Sequence, residues 1–319
     1  MKAGKLSLRG ESLRYLVPYL LFVICWFVVA TAVRGYGTLD HFLYIVQFAG
    51  FLGIVSAGQT LVIVAGGIDL SVGALITLSA VVTTQTMYAN HLAFPAAALC
   101  GLLASLAFGV LSGVGVGSIK IPPLIMTLVS ATIAKGAALL MTDGSPHEMR
   151  AQGFQDWVVK PGAFGINGIL QTWIAVSVLV VFLMGSTSFG KKLQFLGSSP
   201  KATVYAGYNP KTLTVSVYAI SALLSGATGI LLIGFTGNSY LGMGDTYQLS
   251  TLAAVVMGGT SILGGSGSYA GTIAGALLLT LITSVLTLFS VSGGAQVAIE
   301  GAIILLLMIA YASATRVRD

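Results

Sequence analysis

Three residues carry the chemistry that is most costly to keep. Asp69, Lys135 and Glu300 are ionisable side chains set inside long apolar stretches. A charged group at bilayer depth is unfavourable by about 2.5 to 3.5 kcal/mol on insertion scales, so each calls for a partner or a cavity. Asp69 lies in Gly66-Gly67-Ile68-Asp69-Leu70-Ser71-Val72-Gly73-Ala74, where the flanking glycines permit an irregular backbone. A carboxylate followed two residues later by the Ser71 hydroxyl can accept free amides and cap a helix beginning near Leu70. Gating or direct contact with a solute is the sharper role open to it. Lys135 has a stem long enough to snorkel to the surface; a salt bridge to Asp69 or Glu300 is the alternative. Glu300 sits near the start of an apolar run, where the helix dipole favours an acid, and needs no transport role.

Uncharged polar residues in the same stretches, Gln47, Gln59, Thr60, Gln85, Thr127 and Ser130, suit either a path for a neutral hydroxylated solute or hydrogen-bonding glue between helices. Several motifs are missing. There is no G-x-x-x-x-G-K-[ST], H-E-x-x-H or G-x-S-x-G, so the chain is expected to be no enzyme and to hold no nucleotide or other cofactor itself. Gly265, Gly267 and Ala270 match a dinucleotide fingerprint by spacing, but the preceding strand and following acid are absent. Cys25 and Cys100 stand alone in apolar runs and predict neither a disulfide nor a metal site.

The elements that must position these residues follow from composition. The 319 residues are 56% hydrophobic and 8% charged, with mean hydropathy +0.95; soluble domains carry about a quarter charged residues. A soluble enzyme is excluded. The net charge of +6 is scattered between apolar stretches, which excludes a nucleic-acid surface. A crossing helix needs about 20 apolar residues. The runs predict an all-α polytopic protein, one transmembrane domain over 1–319 with ten spans: 15–33, 42–65, 70–88, 94–117, 122–142, 169–185, 213–235, 247–262, 269–291 and 296–313. The first run is longer than a signal-peptide core and reads as an uncleaved anchor. With the N-terminus cytoplasmic, alternation leaves only Arg34, Arg150 and Lys160 outside, as the positive-inside rule requires. Both termini are then cytoplasmic, and His41, His91 and His147 fall outside. Trp26, Trp157 and Trp173 suit interfacial anchoring.

Two loops exceed simple turns. The outer one, 143–168, is suited to meeting something in the external compartment. The inner one, 186–212, has four lysines and no acid, with a helix expected from Pro200 to Ala206 closed by Gly207. Residues 42–142 and 213–313 are candidates for an inverted repeat, with Gly258-Gly259 echoing Gly66-Gly67; such repeats place a pathway at their interface. Chance recurrence of glycine pairs is the competing reading. Gly109, Gly113 and Gly117, and again Gly267, Gly271 and Gly275, are spaced for close helix packing.

These residues resemble a known family, the membrane permease subunits of ribose-type, monosaccharide-importing ABC transporters. The similarity rests on the Gly66 to Gly73 stretch, on Lys120-Ile121-Pro122-Pro123-Leu124 through Lys135-Gly136, on 187–207, and on the Gly-Gly segment within 253–275. It implies an importer in the bacterial inner membrane that moves a monosaccharide or related neutral polyol. Its implied partners are ATP-binding cassette subunits, which bind the ATP, a periplasmic sugar-binding protein and a second permease chain, identical or not. Gly66, Gly67, Asp69, Ser71, Gly73, Lys135, Gly258 and Gly259 would form the gating motif. Gly197, Pro200, Lys201, Ala202, Ala206 and Gly207 would lie in the segment that couples to the ATPase. The chain departs from the family's usual residues at Gly197-Ser198-Ser199 and Ala202-Thr203-Val204. Related permeases serve nucleosides or branched-chain amino acids, and a self-sufficient ion-coupled carrier built on Asp69 and Lys135 is the reading from another class. The scarcity of buried carboxylates favours an energy source on a separate subunit.

Overall fold

The structure is a computed structural model that describes residues 3–162 and 165–316. Thirteen α-helices run in order: α1 (Ala3–Ala32), α2 (Leu39–Val64), α3 (Val72–Ala89), α4 (Phe94–Val114), α5 (Pro123–Thr142), α6 (Gln152–Val159), α7 (Gly168–Ser186), α8 (Ser188–Ser198), α9 (Pro200–Tyr205), α10 (Pro210–Thr236), α11 (Asp245–Met257), α12 (Tyr269–Leu288) and α13 (Gly293–Arg316). A π-helical turn, Gly115–Ile119, extends α4. Among the described residues there is no β-strand. Starts are set by local capping: Thr38, Asn167 and Ser268 each accept a backbone amide from the first turn of the helix that follows.

Among the described residues, seven helices are long and apolar enough to cross a membrane: α2, α3, α4 with its extension, α5, α7, α10 and α12. The apolar parts of α1 and α13, Leu16–Ala32 and Gly293–Leu306, are shorter. So is α11, whose 13 residues reach about 20 Å at the α-helical rise, against a hydrocarbon core of about 30 Å. The eighth predicted span, 247–262, is thus cut short at Gly258, where the chain turns out of the helix.

Helices α2 and α10 form the buried centre. The first is surrounded by α10, α12, α7 and α11, and the second packs on α4 and α3. Leu99, Leu140 and Val178 stay exposed on α4, α5 and α7, as lipid-facing residues do. The glycine spacings do pack backbones closely. A Cβ on Gly275 would run into the carbonyl of Ala254, and one on Gly113 would lie 2.6 Å from the Val215 Cα.

Trp173 differs from its expected interfacial place. It is buried beside α2, its indole N–H donating to Tyr269 Oη at 3.1 Å while that hydroxyl donates to the Gly53 carbonyl at 2.9 Å. Its ring fits because Gly53 has no side chain: a Cβ there would fall within the indole. The outer loop is also more ordered than expected. Its helix α6 buries Val158, which with Phe154 packs against Gly234 of α10. On its exposed side, the hydrogen bond from Lys160, joined by one from Gln152, holds the Asp156 carboxyl below its ordinary range.

Gly53→Leu should therefore lower stability by about 1 to 3 kcal/mol or more through overpacking. Gly136→Ala, with nothing within 4 Å of its Cβ, should leave it unchanged or slightly raised. Thermal unfolding in detergent compares them, and equal losses would dismiss the Trp173 contact as a constraint.

Candidate functional site at the glycine breaks

Helix α2 ends on local chemistry. Ala65 is its last near-helical residue, Gly66 takes φ +84°, and the amides of Gly66 and Gly67 turn back to the carbonyls of Ile63 and Val62 at 2.8 and 2.9 Å. This double closure needs a left-handed residue, which glycine adopts without penalty. The chain then runs irregularly to Val72, so its polar groups require partners from elsewhere.

Asp69, Thr127 and Tyr218 supply them. The Asp69 Oδ1 accepts the Ser71 amide at 2.9 Å and the Ser71 hydroxyl at 2.6 Å, and its Oδ2 accepts the Ser221 hydroxyl of α10 at 2.8 Å. The carboxylate is 1% exposed. From α5, Thr127 Oγ1 accepts the Leu70 amide at 3.1 Å, and from α10 the Tyr218 hydroxyl donates to the Ile68 carbonyl at 3.4 Å. Asp69 therefore organises the break, as expected, but the division of labour differs. Helix α3 begins at Val72, and Ser71 donates its hydroxyl to Asp69 without capping that helix.

A second cluster joins three distant segments. Gly197, at the end of α8, lies so close to the Val64 carbonyl and the Gly265 amide that a Cβ would collide with both. The Gly265 amide itself donates to the Val64 carbonyl at 2.9 Å. Gly264, at φ +86°, approaches until its Cβ position is 2.8 Å from the Gly66 Cα. The end of α2, the end of α8 and the loop after α11 thus meet backbone to backbone.

Beyond this junction α9 projects. Pro200 opens its first turn, Ser199 Oγ accepts the Ala202 amide, and after Ala206 the chain leaves through Gly207 at φ +79°. The predicted helix and its glycine stop are thus in place. Lys201, Ala202, Val204, Tyr205 and Ala206 are exposed, Tyr205 at 90%. Helix α8 was not expected. Its signal is short: a Thr187 cap followed by Phe189, Leu193 and Leu196 at helical spacing.

The other expected residues divide. Lys135 pairs with Asp245 at the start of α11, 2.8 Å apart and about half exposed; neither Asp69 nor Glu300 is its partner. Glu300 instead accepts the Ser250 hydroxyl at 2.8 Å. Gly73 faces Gly244, its Cβ position 2.5 Å from that carbonyl oxygen, while Gly258 packs against Gly271 of α12. Gly259 ends α11 at φ +84° as Gly66 ends α2. Of the polar residues, Thr60 bonds Thr272 and Ser130 bonds Ser112 as interhelical glue. Gln59 and Ser56 find no side-chain partner. Sequence reasoning missed Ser221, Tyr218 and Asp245; only Asp245, an acid opening a helix after Gly242 and Gly244, left a local trace. Among the described residues no cluster of His, Cys, Asp or Glu is fit to hold a metal ion.

Asp69→Leu leaves three buried donors without an acceptor, at about 1 to 3 kcal/mol each, so it should prevent assembly or strongly lower the unfolding temperature. Asp69→Asn keeps one carbonyl oxygen for Ser71 and should retain much of both. Equal stability of the two variants would count against the capping role.

Comparison with known proteins agrees with this arrangement. The family described as "Branched-chain amino acid transport system / permease component" matches residues 41–312. The ribose import permease protein RbsC of Haemophilus influenzae is 30% identical over 298 residues, 92% of this chain and 91% of that one. The ribose import permease of Escherichia coli K12 is 32% identical, covering 88% of each chain. The fructose import permease protein FrcC of Rhizobium meliloti is 32% identical over 82% of this chain and 75% of its own. No solved structure matches. The match takes in the Asp69 break, residues 187–207 and, but for the first two residues of α2, the seven long apolar helices, and the chain belongs to this family of multi-pass membrane permease components of transport systems.

Proposed function

We propose that the chain is the membrane-spanning subunit of a bacterial inner-membrane ABC importer for a monosaccharide or related neutral polyol. The relatives named for ribose and fructose import support the substrate class. The observation that carries the mechanism is the exposed α9 platform backed by the Gly197 junction. A cassette ATPase that closes on ATP would press on Val204, Tyr205 and Lys201. Because Gly197 touches the end of α2 and the Gly264-Gly265 loop directly, that push reaches both without passing through flexible side chains.

Ten crossings are the reading for the whole fold, with α1, α11 and α13 joining the seven long helices and both termini on the side of α9. The helices also fall into two halves of opposite orientation. One shift of 171 residues carries the starts of α2, α3, α4 and α5 to within four residues of those of α10, α11, α12 and α13. Packing follows the same exchange: α10 lies on α4 and α3 as α2 lies on α12 and α11, and α3 meets α5 as α11 meets α13. Under this shift the counterpart of Gly66 is Gly237, another left-handed helix end at φ +77°, rather than Gly258. Gly73 corresponds to Gly244, and the two touch, as positions beside a two-fold axis do. Opposed halves of this kind support alternating access, with a second permease chain, a cassette ATPase pair and a solute receptor completing the importer.

Sugar uptake by cells should vanish when the cassette subunit is deleted. Uptake that survives the deletion and stops with a protonophore would overturn the proposal. Tyr205→Ala should weaken assembly with the cassette subunit and slow uptake while leaving the unfolding temperature of the isolated chain unchanged. Binding of ribose, a nucleoside or leucine by the cognate receptor separates the sugar reading from its relatives.

A further inference from the structure

A cavity of about 670 Å³ opens between the first halves of α2, α11 and α13 and the second half of α12, at the end of the molecule away from α9. Its described lining holds one acid, Glu300, and no Lys or Arg. The carboxylate is partly buried and accepts the Ser250 hydroxyl at 2.8 Å, but among the described residues no cation pairs with it. An acid set in an apolar wall without a counter-charge is unfavourable. The occupant that answers it is a cation.

The walls narrow the kind of cation. Tyr36, His41, Tyr44 and Phe48 form a continuous row along the lining, with neighbouring ring centroids 4.1, 5.8 and 4.5 Å apart, and aromatic rings attract cations over their faces. On α12, Thr283 and Thr287 donate their hydroxyl protons to carbonyls of their own helix, and Tyr36 donates to Ser284 Oγ at 3.1 Å. What these groups leave free is chiefly oxygen lone pairs. Lone pairs beside a carboxylate favour an ammonium that carries N–H donors over a quaternary one that has none.

The mouth indicates what carries the ammonium. Leu288 and Val297 line the cavity and are each close to half exposed. From Val297, the exposed Leu305 and Leu306 continue the apolar surface along α13 for about 13 Å at the α-helical rise. Apolar surface that runs on from a charged pocket matches an acyl chain attached to the ammonium, where a water-soluble amine would leave it bare.

We propose that this cavity binds the headgroup of one ethanolamine phospholipid from the leaflet on the side away from α9. The ammonium lies against Glu300 and the aromatic row, and an acyl chain follows Val297, Leu305 and Leu306. Helix α13 packs on α11, and the lipid bridges it to α2 and α12 across the cavity. The proposal goes beyond the importer reading and does not depend on which solute is carried.

Native mass spectrometry of the purified full chain in detergent tests it, with phospholipids of identical acyl chains added in turn. The ethanolamine lipid should be retained as one molecule and bind about tenfold more tightly than lipids with a choline or a glycerol headgroup. Glu300→Gln, which keeps an oxygen for Ser250, should remove that preference while leaving the unfolding temperature without added lipid unchanged. Tyr44→Ala, which leaves the carboxylate in place, should weaken the ethanolamine lipid several-fold. Equal retention of the three lipids would mark them as a non-selective shell and overturn the proposal, as would a preference that survives Glu300→Gln or an affinity unmoved by Tyr44→Ala. Displacement of the lipid by an equal concentration of free ethanolamine would assign the cavity to a soluble amine. Loss of the lipid when two permease chains associate would assign it to the second chain, and either result overturns the lipid site. Neither measurement involves uptake or the cassette subunit, so the importer reading stands or falls separately.

Discussion

Inside a bilayer the chain has no water with which to satisfy irregular backbone, so any break in a crossing helix must be supplied by protein. The segment from Gly66 to Ser71 meets that demand through Asp69, Thr127, Ser221 and Tyr218. Thr127 comes from α5 and Ser221 and Tyr218 from α10, so the break is pinned to two helices other than those it joins. A carboxylate suits the centre because it offers acceptors only, and three donors converge on it. That constraint fixes where α3 starts, and through Gly73 against Gly244 it fixes where α11 starts as well.

The same demand explains why the junction of α2, α8 and the loop after α11 is made of glycine. Side chains at Gly197 or Gly264 would separate three backbones that now touch, and the bond from the Gly265 amide to the Val64 carbonyl would be lost. Contacts between backbones transmit displacement with little slack, since a main chain has fewer soft torsions than the long lysines nearby. The exposed apolar surface of Val204 and Tyr205 lies on the short helix that follows this contact.

How much of this could be read beforehand depended on the range of the interaction. Seven of the ten predicted spans were legible because length and apolarity alone decide them, and α9 was legible because Pro200 and Gly207 act on their own turn. Helices α6 and α8 are short and amphipathic, held by packing on α7, α10 and α2, and a span count does not register them. The Asp69 motif was visible, but its partner Ser221 is 152 residues away and one serine among many. Lys135 was visible as a charge needing an answer. Its partner Asp245 was not, because the loop before α11 carries that acid to α5 only in three dimensions. Trp173 had the composition of an anchor, and only the vacancy at Gly53 shows why its ring turns inward.

The two halves do not pack alike, and glycine placement decides which end is shut. On α4, Gly109, Gly113 and Gly117 face α10 and allow the helices to close fully at the α9 end. The matching stretch of α12 carries Thr280, Ser284 and Leu288 instead, by the same 171-residue shift, and these side chains line the open cavity. A molecule with exact internal symmetry would have no preferred resting state. Side-chain bulk differs along α4 and α12: three glycines meet α10 on the first, while hydroxyl-bearing residues of the second line the cavity beside α2. In the proposed importer, work done at the α9 platform would separate the tight glycine contact of α4 on α10, and the Gly197 junction lies at that end.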